Sequence, residues 1–545
     1  MAIALPPPIA PQEGSAAELR QQLQGQQELL IQYKQGVLIH VFGSQLVAAD
    51  RMRQAVMAAA NISDAVRTIG YVYYVSGYPA TLVTYAETGQ YIADIYVRVV
   101  PGRVRDVTAP PALLPYFSNL KGGQLPLTSA ALEADRAPAD GLTERSGEQY
   151  KPVFRPVAAD EVVLDLGDAA PGNRQTHVLG TFGNYGNRYA GPYLATAGVT
   201  QSFSSGDEVT LAGATSVRFL GLGGEHSEPY HEGDGAWSRV TPLGVFGLQG
   251  RYADFSQTVQ GYRFDGTITS GNATWLYPLY SDFQQRLNLQ GKFERDHETI
   301  NTPMVATPGN CTLLGGLLDL LGIPSCTAAG TAGGEVLSEL YNSAELNLSY
   351  VKRVQHGDHQ AELQAGLTLR KGLGPHQLEG SAASLNYFLW QPSFSARYSL
   401  STHWSVLGDG SFQFSNSVLP QQQKFVIGGP TSVHAYETGV GIGDHGGNLR
   451  LGVEWKGYDD SWIEHYGIRP RGFVEYGSST LEHIAPGDPN GTVAIADVGA
   501  AVDVKFASWL GGSLSLAQSI YSRGAESSPD GLAKKYVFFQ LAAKY

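Results

Sequence analysis

Few residues in this sequence are placed to do chemistry. Cys311 and Cys326 sit close together in one Gly-rich segment. That suits a loop disulfide in an oxidising compartment better than a metal site, which needs three or four ligands. His226 and His231 lie five apart in Glu225-His-Ser-Glu-Pro-Tyr-His-Glu. Without helical phasing to converge them, a solvated loop is the preferred reading over a metal site. Gly221-Leu-Gly-Gly and Gly315-Gly-Leu-Leu lack the flanking strand and helix of a phosphate cradle, and no G-x-S-x-G, H-E-x-x-H or P-loop pattern occurs. No catalytic residue, metal or cofactor is therefore expected. One carboxylate stands out. Glu475 alternates with Phe473 and Gly477, so all three share one face of a strand, where a lone acid beside glycine invites a cationic partner.

Composition says what could position these groups. The 545 residues exceed the size of one ordinary core, so at least two folding units are expected. Hydrophobic residues are 43% and charged residues 16%, yet no stretch approaches the ~18 apolar residues of a membrane helix. Many aromatics and glycines (Gly 66, Tyr 29, Phe 20) and few methionines (4) suit a closed β-barrel, whose strands alternate lipid-facing and lumen-facing side chains. A soluble β-sandwich array shares that composition. Net charge −13 without any Lys/Arg run argues against nucleic acid. The start, Met1-Ala-Ile-Ala-Leu-Pro-Pro-Pro, lacks a basic segment and a long apolar core. No signal peptide is read there, and since an exported protein needs one, a mature form with an added Met is expected.

The chain divides into four parts: a Pro-rich segment and helix (1–35), two small α/β modules (36–108 and 109–172), and a barrel (173–545). Ser15-Ala-Ala-Glu18 has capping-box spacing and opens a helix expected to run to about Lys34. The first module reads β-α-α-β-β: strand 37–41, helices 48–60 and 62–74, strands 80–85 and 91–100. The second repeats this loosely, with a helix at 129–145 and strands at 150–156 and 161–166.

From about Gln175, segments of roughly ten alternating residues separated by turns predict sixteen antiparallel strands. Connections after even-numbered strands are short (Ser204-Ser-Gly-Asp, Pro242-Leu-Gly, Gln355-His-Gly-Asp), whereas 221–236, 298–336 and 417–447 are long. Short turns belong on the periplasmic side and long loops outside. A candidate strand at 422–428 is short, would make the count odd, and is assigned to a loop. The last strand ends on Tyr545, with apolar residues such as Phe539 and Leu541 at alternate positions back to Val537, as a barrel-insertion signal would.

Three motifs carry a family resemblance over residues 36–545. Tyr73-Tyr-Val-Ser-Gly-Tyr-Pro-Ala, followed by Ala93-Asp-Ile-Tyr-Val-Arg-Val-Val-Pro-Gly, looks like the end of a POTRA module. Phe425-Val-Ile-Gly428-Gly429-Pro-Thr-Ser-Val433-His434-Ala435-Tyr436, continuing to Gly443-Asp444, is similar to a sixth-loop signature ending V-R-G-Y/F. Phe473-Val-Glu475-Tyr-Gly477 resembles the F-x-D-x-G motif of a thirteenth strand. Together they resemble the TpsB transporters of two-partner secretion, the ShlB/FhaC/HecB group named for haemolysin secretion and activation.

The resemblance implies a sixteen-stranded barrel in the Gram-negative outer membrane, inserted there by the barrel assembly machinery. It implies two POTRA modules in the periplasm and ATP-free export of an unfolded, TpsA-like partner protein. Strand addition is the expected docking mode, with 91–100 and its helix neighbour as the surface. A barrel insertase and a passive channel or adhesin are the rival functions.

The signature departs from the family at three places: His434 for Arg, Ala435 for Gly and Glu475 for Asp. A shorter cation facing a longer carboxylate predicts a His434–Glu475 latch. Because histidine is charged only around or below pH ~6.5, that latch would weaken as pH rises. A His434 that merely hydrogen-bonds a loop carbonyl is the alternative. A leading helix can plug the barrel in this family. Here two residues separate the helix from the strand at Val37, reaching under ~8 Å, so the helix is expected to pack on the module.

Overall fold

The computed structural model describes the chain except residues 1, 89–93, 124–125, 187–190, 192, 218–228, 260–261, 303–333, 357–358, 375–376, 380, 458–465, 483–490 and 525–536. The expected Cys311–Cys326 disulfide, His226 and the Gly221 and Gly315 runs lie outside the described residues.

Alternation builds the barrel. In Arg469–Thr480, Val474 and Tyr476 point outward, 51% and 46% exposed, while Phe473 and Glu475 between them are 4% and 1% exposed. Sixteen long antiparallel strands repeat that pattern from Thr176–Gly183 to Val537–Lys544, and these two pair with each other to close the cylinder. The thirteenth strand is Arg469–Thr480, as the motif count requires.

Several strands outrun their sequence-based limits. Tyr230–Thr241 begins well before the expected 237, and Gln285–Thr302 and Gly334–His356 enter the region expected to be a long loop. A strand of 23 residues is far longer than the ~9–11 that cross a bilayer. Beyond the membrane the outward face has no reason to be apolar, so the alternation that marks a strand fades while the ladder continues. His231 lies on such an extension, with Nδ1 3.1 Å from Thr215 Oγ1.

The first module is a five-stranded sheet in the order Gln12–Glu13, Thr81–Thr88, Asp94–Pro101, Leu38–Gly43, Glu28–Gln32. Helices Ala49–Ala58 and Ile62–Val75 cover one face around Val56, Ile69, Ile95 and Val97. Two expectations are corrected here. The first helix ends at Leu23, and Glu28–Gln32 is a strand. Gly25 at φ +84° breaks the helix, and burying Ile31 against the sheet outweighs a modest helical propensity. The shortened helix does pack on the module, with Leu19 against Phe42, Ala86 and Tyr96 on the open face of the sheet. Second, Asp94–Pro101 is the central strand, paired on both sides, so its backbone is closed to strand addition.

The second module's sheet runs Arg103–Thr108, Glu161–Asp165, Val153–Pro156. Arg103–Thr108 had been assigned to the first module. At Gly102 the chain passes from one sheet to the next, so the boundary lies there and not at 108. Helix Ser129–Ser146 is capped by Thr128 Oγ1, which accepts from the Ala131 N–H at 3.2 Å, and stops at Gly147 (φ +72°). It seats the module on the barrel: the Arg145 guanidinium donates to Gly206 O (2.7 Å), Ser238 O (3.0 Å) and Ser238 Oγ (2.8 Å). Val240 of the fourth barrel strand is buried in the module's core.

Candidate functional site

The connection between the eleventh strand, Trp404–Ser415, and the twelfth, His445–Trp455, is a hairpin rather than a transmembrane strand pair. Phe425–Ile427 pairs only with Gly441–Gly443, as the assignment of 422–428 to a loop requires. Glycine is obligatory at its turn. A Cβ on Gly428 (φ +95°) would lie 2.2 Å from Glu437 O, and one on Gly429 (φ +79°) 2.1 Å from Thr438 Oγ1. A Cβ on Gly443 would lie 2.5 Å from Thr480 N, so the hairpin's return strand is pressed against the wall.

The tip meets a row of polar side chains. Arg450, Glu475, Asp497 and Ser519 lie opposite one another on the twelfth to fifteenth strands. Successive tip groups fall on successive members of that row. Pro430 O accepts from Arg450 Nη2 at 3.0 Å. Glu475 accepts the His434 N–H at 2.8 Å, and His434 Nδ1 lies 2.9 Å from both its oxygens. Asp497 Oδ2 accepts the Ala435 N–H at 2.6 Å, and the Tyr436 hydroxyl bonds Ser519 Oγ and donates to Tyr521 O (2.8 Å). Val433, Ala435 and Tyr436 are fully buried with Ile427, Phe473 and Ile495.

The two wall residues flanking Glu475 shape the receptor. The Phe473 ring lies 4.8 Å from the His434 ring, and Gly477 leaves room for Val433, whose Cγ2 would stand 2.9 Å from a Cβ there. Phe473 in turn needs Gly499 opposite it, where a Cβ would fall 2.4 Å from the ring. Gly499→Ala is thus expected to cost about 1–3 kcal/mol by overpacking. Gly472→Ala, where a Cβ meets nothing within 4 Å, should be near neutral. Urea midpoints of the folded barrel, which should drop only for Gly499→Ala, check this.

Sequence reasoning brought His434 and Glu475 together but missed Arg450, whose Nε also bonds Glu475 Oε1. The guanidinium absent from the loop comes from the neighbouring strand. Arginine keeps its charge throughout the physiological range, so Glu475 has a cation whatever the histidine's protonation. The weakening with pH expected of a bare His–Glu pair loses its physical basis. Arg450 and Asp497 each sit at an inward position of an alternating strand, which is a weak signal. What makes them a site is the register of four strands, which a single sequence does not contain.

Two further ties hold the hairpin. Asp444, fully buried, accepts the Leu419 N–H at 2.7 Å and the Glu482 N–H at 2.8 Å. At the neck, the Gln421 N–H donates to Glu339 (2.9 Å), Gln422 Nε2 to Glu298 (3.0 Å) and Gln423 Nε2 to Tyr341 OH (3.0 Å). Those acceptors stand on the seventh and eighth strands, so the loop spans from one stretch of wall to another as a crossbar. The C-terminal residues lie elsewhere, at the closing seam. The Phe539 ring is 5.8 Å from Phe182, Leu541 faces outward, and Tyr545 exchanges two 2.9 Å backbone hydrogen bonds with Val178.

Architecture and crossbar together define a class: a closed antiparallel β-barrel with two N-terminal α/β modules and a loop folded into its lumen. Residues 335–506, which include the crossbar with Arg450, Glu475 and Asp497 of its receptor, match the haemolysin secretion/activation protein family ShlB/FhaC/HecB. That match covers about a third of the chain and shows what those residues are similar to. Solved structures agree on the fold. CdiB from Escherichia coli is 15% identical with TM-score 0.63, covering 95% of this chain and 91% of its own. CdiB from Acinetobacter baumannii is 13% identical with TM-score 0.57, covering 97% of each. BamA from Haemophilus ducreyi lacking POTRA domains 1–3 is 13% identical with TM-score 0.51, covering 93% and 99%. A comparison with curated protein sequences finds no match.

Proposed function

We propose that the chain captures an extended partner protein on its periplasmic modules and passes it outward through the barrel, with the 416–444 loop as the movable obstruction in the lumen. The observation that carries this is the hairpin fastened across the lumen by the Glu475 cluster and the glutamine neck, above modules docked on the barrel's rim. A passive channel has no use for either feature. The docking edge is Val153–Pro156, the outer strand of the second module's sheet, beside which Val153 and Val157 stand 37% and 48% exposed. An incoming strand gains main-chain hydrogen bonds there and two apolar contacts. The terminal aromatic Tyr545, with Phe539 and Leu541, acts as the signal for insertion by the barrel assembly machinery.

The test is export of the protein encoded beside this one, in cells with and without the barrel. The partner is expected in the medium or on the surface only when the full chain is present. Deleting residues 2–172, which removes both modules together with the N-terminal segment woven into them, is expected to stop export while leaving passive conductance. If export survives the deletion, module capture is wrong. If other outer-membrane proteins lose assembly and no partner appears outside, an insertase is the better reading.

A further inference from the structure

The first residues of the chain are bound to the second module as a peptide is bound to a receptor. Ile3 is 1% exposed inside that module's core, among Leu132, Ala139, Leu142 and Tyr150, more than a hundred residues away in sequence. Its backbone is bonded on both sides by charged side chains of helix Ser129–Ser146. The Ile3 N–H donates to Asp140 Oδ1 at 2.7 Å, and the Ile3 carbonyl accepts from Arg136 Nη1 at 2.5 Å. Arg136 is itself buried and held by Glu133 at 2.6 and 2.7 Å. Ala2 and Ala4 complete a parallel bridge to Tyr150: the Tyr150 N–H donates to Ala2 O at 2.7 Å, and the Ala4 N–H to Tyr150 O at 3.0 Å.

A groove with a pocket for one branched aliphatic side chain, small residues on either side and charged groups for the intervening backbone is a built site for an extended peptide. The segment filling it is tethered in a way that allows release. Leu5 to Pro11 contains four prolines, which lack the N–H needed to extend the bridge toward Gln12, where the chain next joins a sheet. Ala2 to Ala4 make the segment's backbone hydrogen bonds to the groove, and Ile9 adds a side-chain contact with the same core. We propose that this groove is a peptide-docking site for an incoming client segment of the pattern small, branched aliphatic, small, and that residues 2–4 occupy it as a displaceable pseudo-ligand. The client assignment rests on the transport reading above.

A tethered occupant competes at an effective concentration on the order of millimolar. Removing it therefore exposes a site that the intact chain hides by about tenfold or more. The experiment uses the full chain in detergent and the same chain lacking residues 2–5, titrated with a fluorescent peptide of sequence Ala-Ile-Ala-Leu-Pro-Pro. The truncated chain is expected to bind the peptide at least about tenfold more tightly than the intact chain, and binding should vanish when the peptide's Ile is replaced by Asp. Arg136→Met should abolish binding. Because that residue is buried and could unfold the module, Asp140→Asn, at a half-buried position, is the companion variant and should weaken binding in a module whose circular dichroism is unchanged. The secreted partner identified by export should displace the peptide. If the truncated chain binds no peptide, or binds the Asp version equally well, the groove is not a docking site. If the peptide binds but an exported partner fails to compete, the segment is only a staple and the client assignment falls. The peptide titration does not depend on whether export occurs, so failure of the groove and failure of the transport reading remain distinguishable.

Discussion

Glu475→Ala is expected to free the loop tip and raise the barrel's conductance by about tenfold or more, with the strands still folded. The carboxylate is 1% exposed and satisfies three donors at once: the Arg450 guanidinium, the His434 backbone N–H and His434 Nδ1. Removing one partner of a buried ion pair leaves the other charge uncompensated, at a cost of about 3–5 kcal/mol. Since ~1.4 kcal/mol is a factor of ten, the balance between seated and unseated tip shifts by roughly two to three and a half orders of magnitude. Glu475→Gln keeps the shape and loses the charge, so it should fall between the two. Single-channel recordings in planar bilayers read the effect, and conductance unchanged in both variants would overturn the latch.

The same geometry makes a less obvious claim. His434→Arg, which restores the usual residue of the family it resembles, should not strengthen the latch, because Arg450 already bonds Glu475 and a second guanidinium would be brought up against the first. The change should become tolerable only with Arg450→Leu. Closed-state conductance of the two single variants and the double variant separates these cases. A single His434→Arg variant that closes better than the parent chain would show that Arg450 does not serve the role assigned to it.

What could be read in the sequence followed from how each feature is encoded. The sixteen strands were legible because lipid outside and lumen inside force an alternation that each strand displays by itself. Their extensions were not, since a strand beyond the bilayer is recognised only by its neighbour's hydrogen bonds. The hairpin's turn was legible because Gly428-Gly429-Pro430 allows few backbone paths. Glu475 was legible as an acid on an inward face, and His434 only through a family pattern it departs from. Arg450 and Asp497 stayed hidden because their meaning lies in register across three strand boundaries. The strand at Glu28–Gln32 was read as helix because a glutamine-rich run favours helix locally, and nothing nearby reveals that the edge of Leu38–Gly43 lies waiting for it.

Locking the tip to the wall should abolish export. Gly477 faces Ser432, whose Oγ lies 3.3 Å from where a Cβ on residue 477 would sit, close enough for a disulfide after a small shift of Val433. The pair Ser432→Cys and Gly477→Cys, in a chain also carrying Cys311→Ser and Cys326→Ser, should crosslink under oxidation and cut export at least about tenfold, with recovery on adding a thiol reductant. The lock leaves the neck free. Gln421, Gln422 and Gln423 hold the opposite stretch of wall through hydrogen bonds to Glu339, Glu298 and Tyr341, and Gln423 Oε1 accepts from the Arg370 guanidinium. Replacing Gln422 and Gln423 by Ala in the locked chain therefore asks which end must move. If export stays blocked, the tip has to leave Glu475 for a client to pass. If export returns while the disulfide remains intact, the crossbar swings from the neck, and the cluster around Glu475 is its hinge.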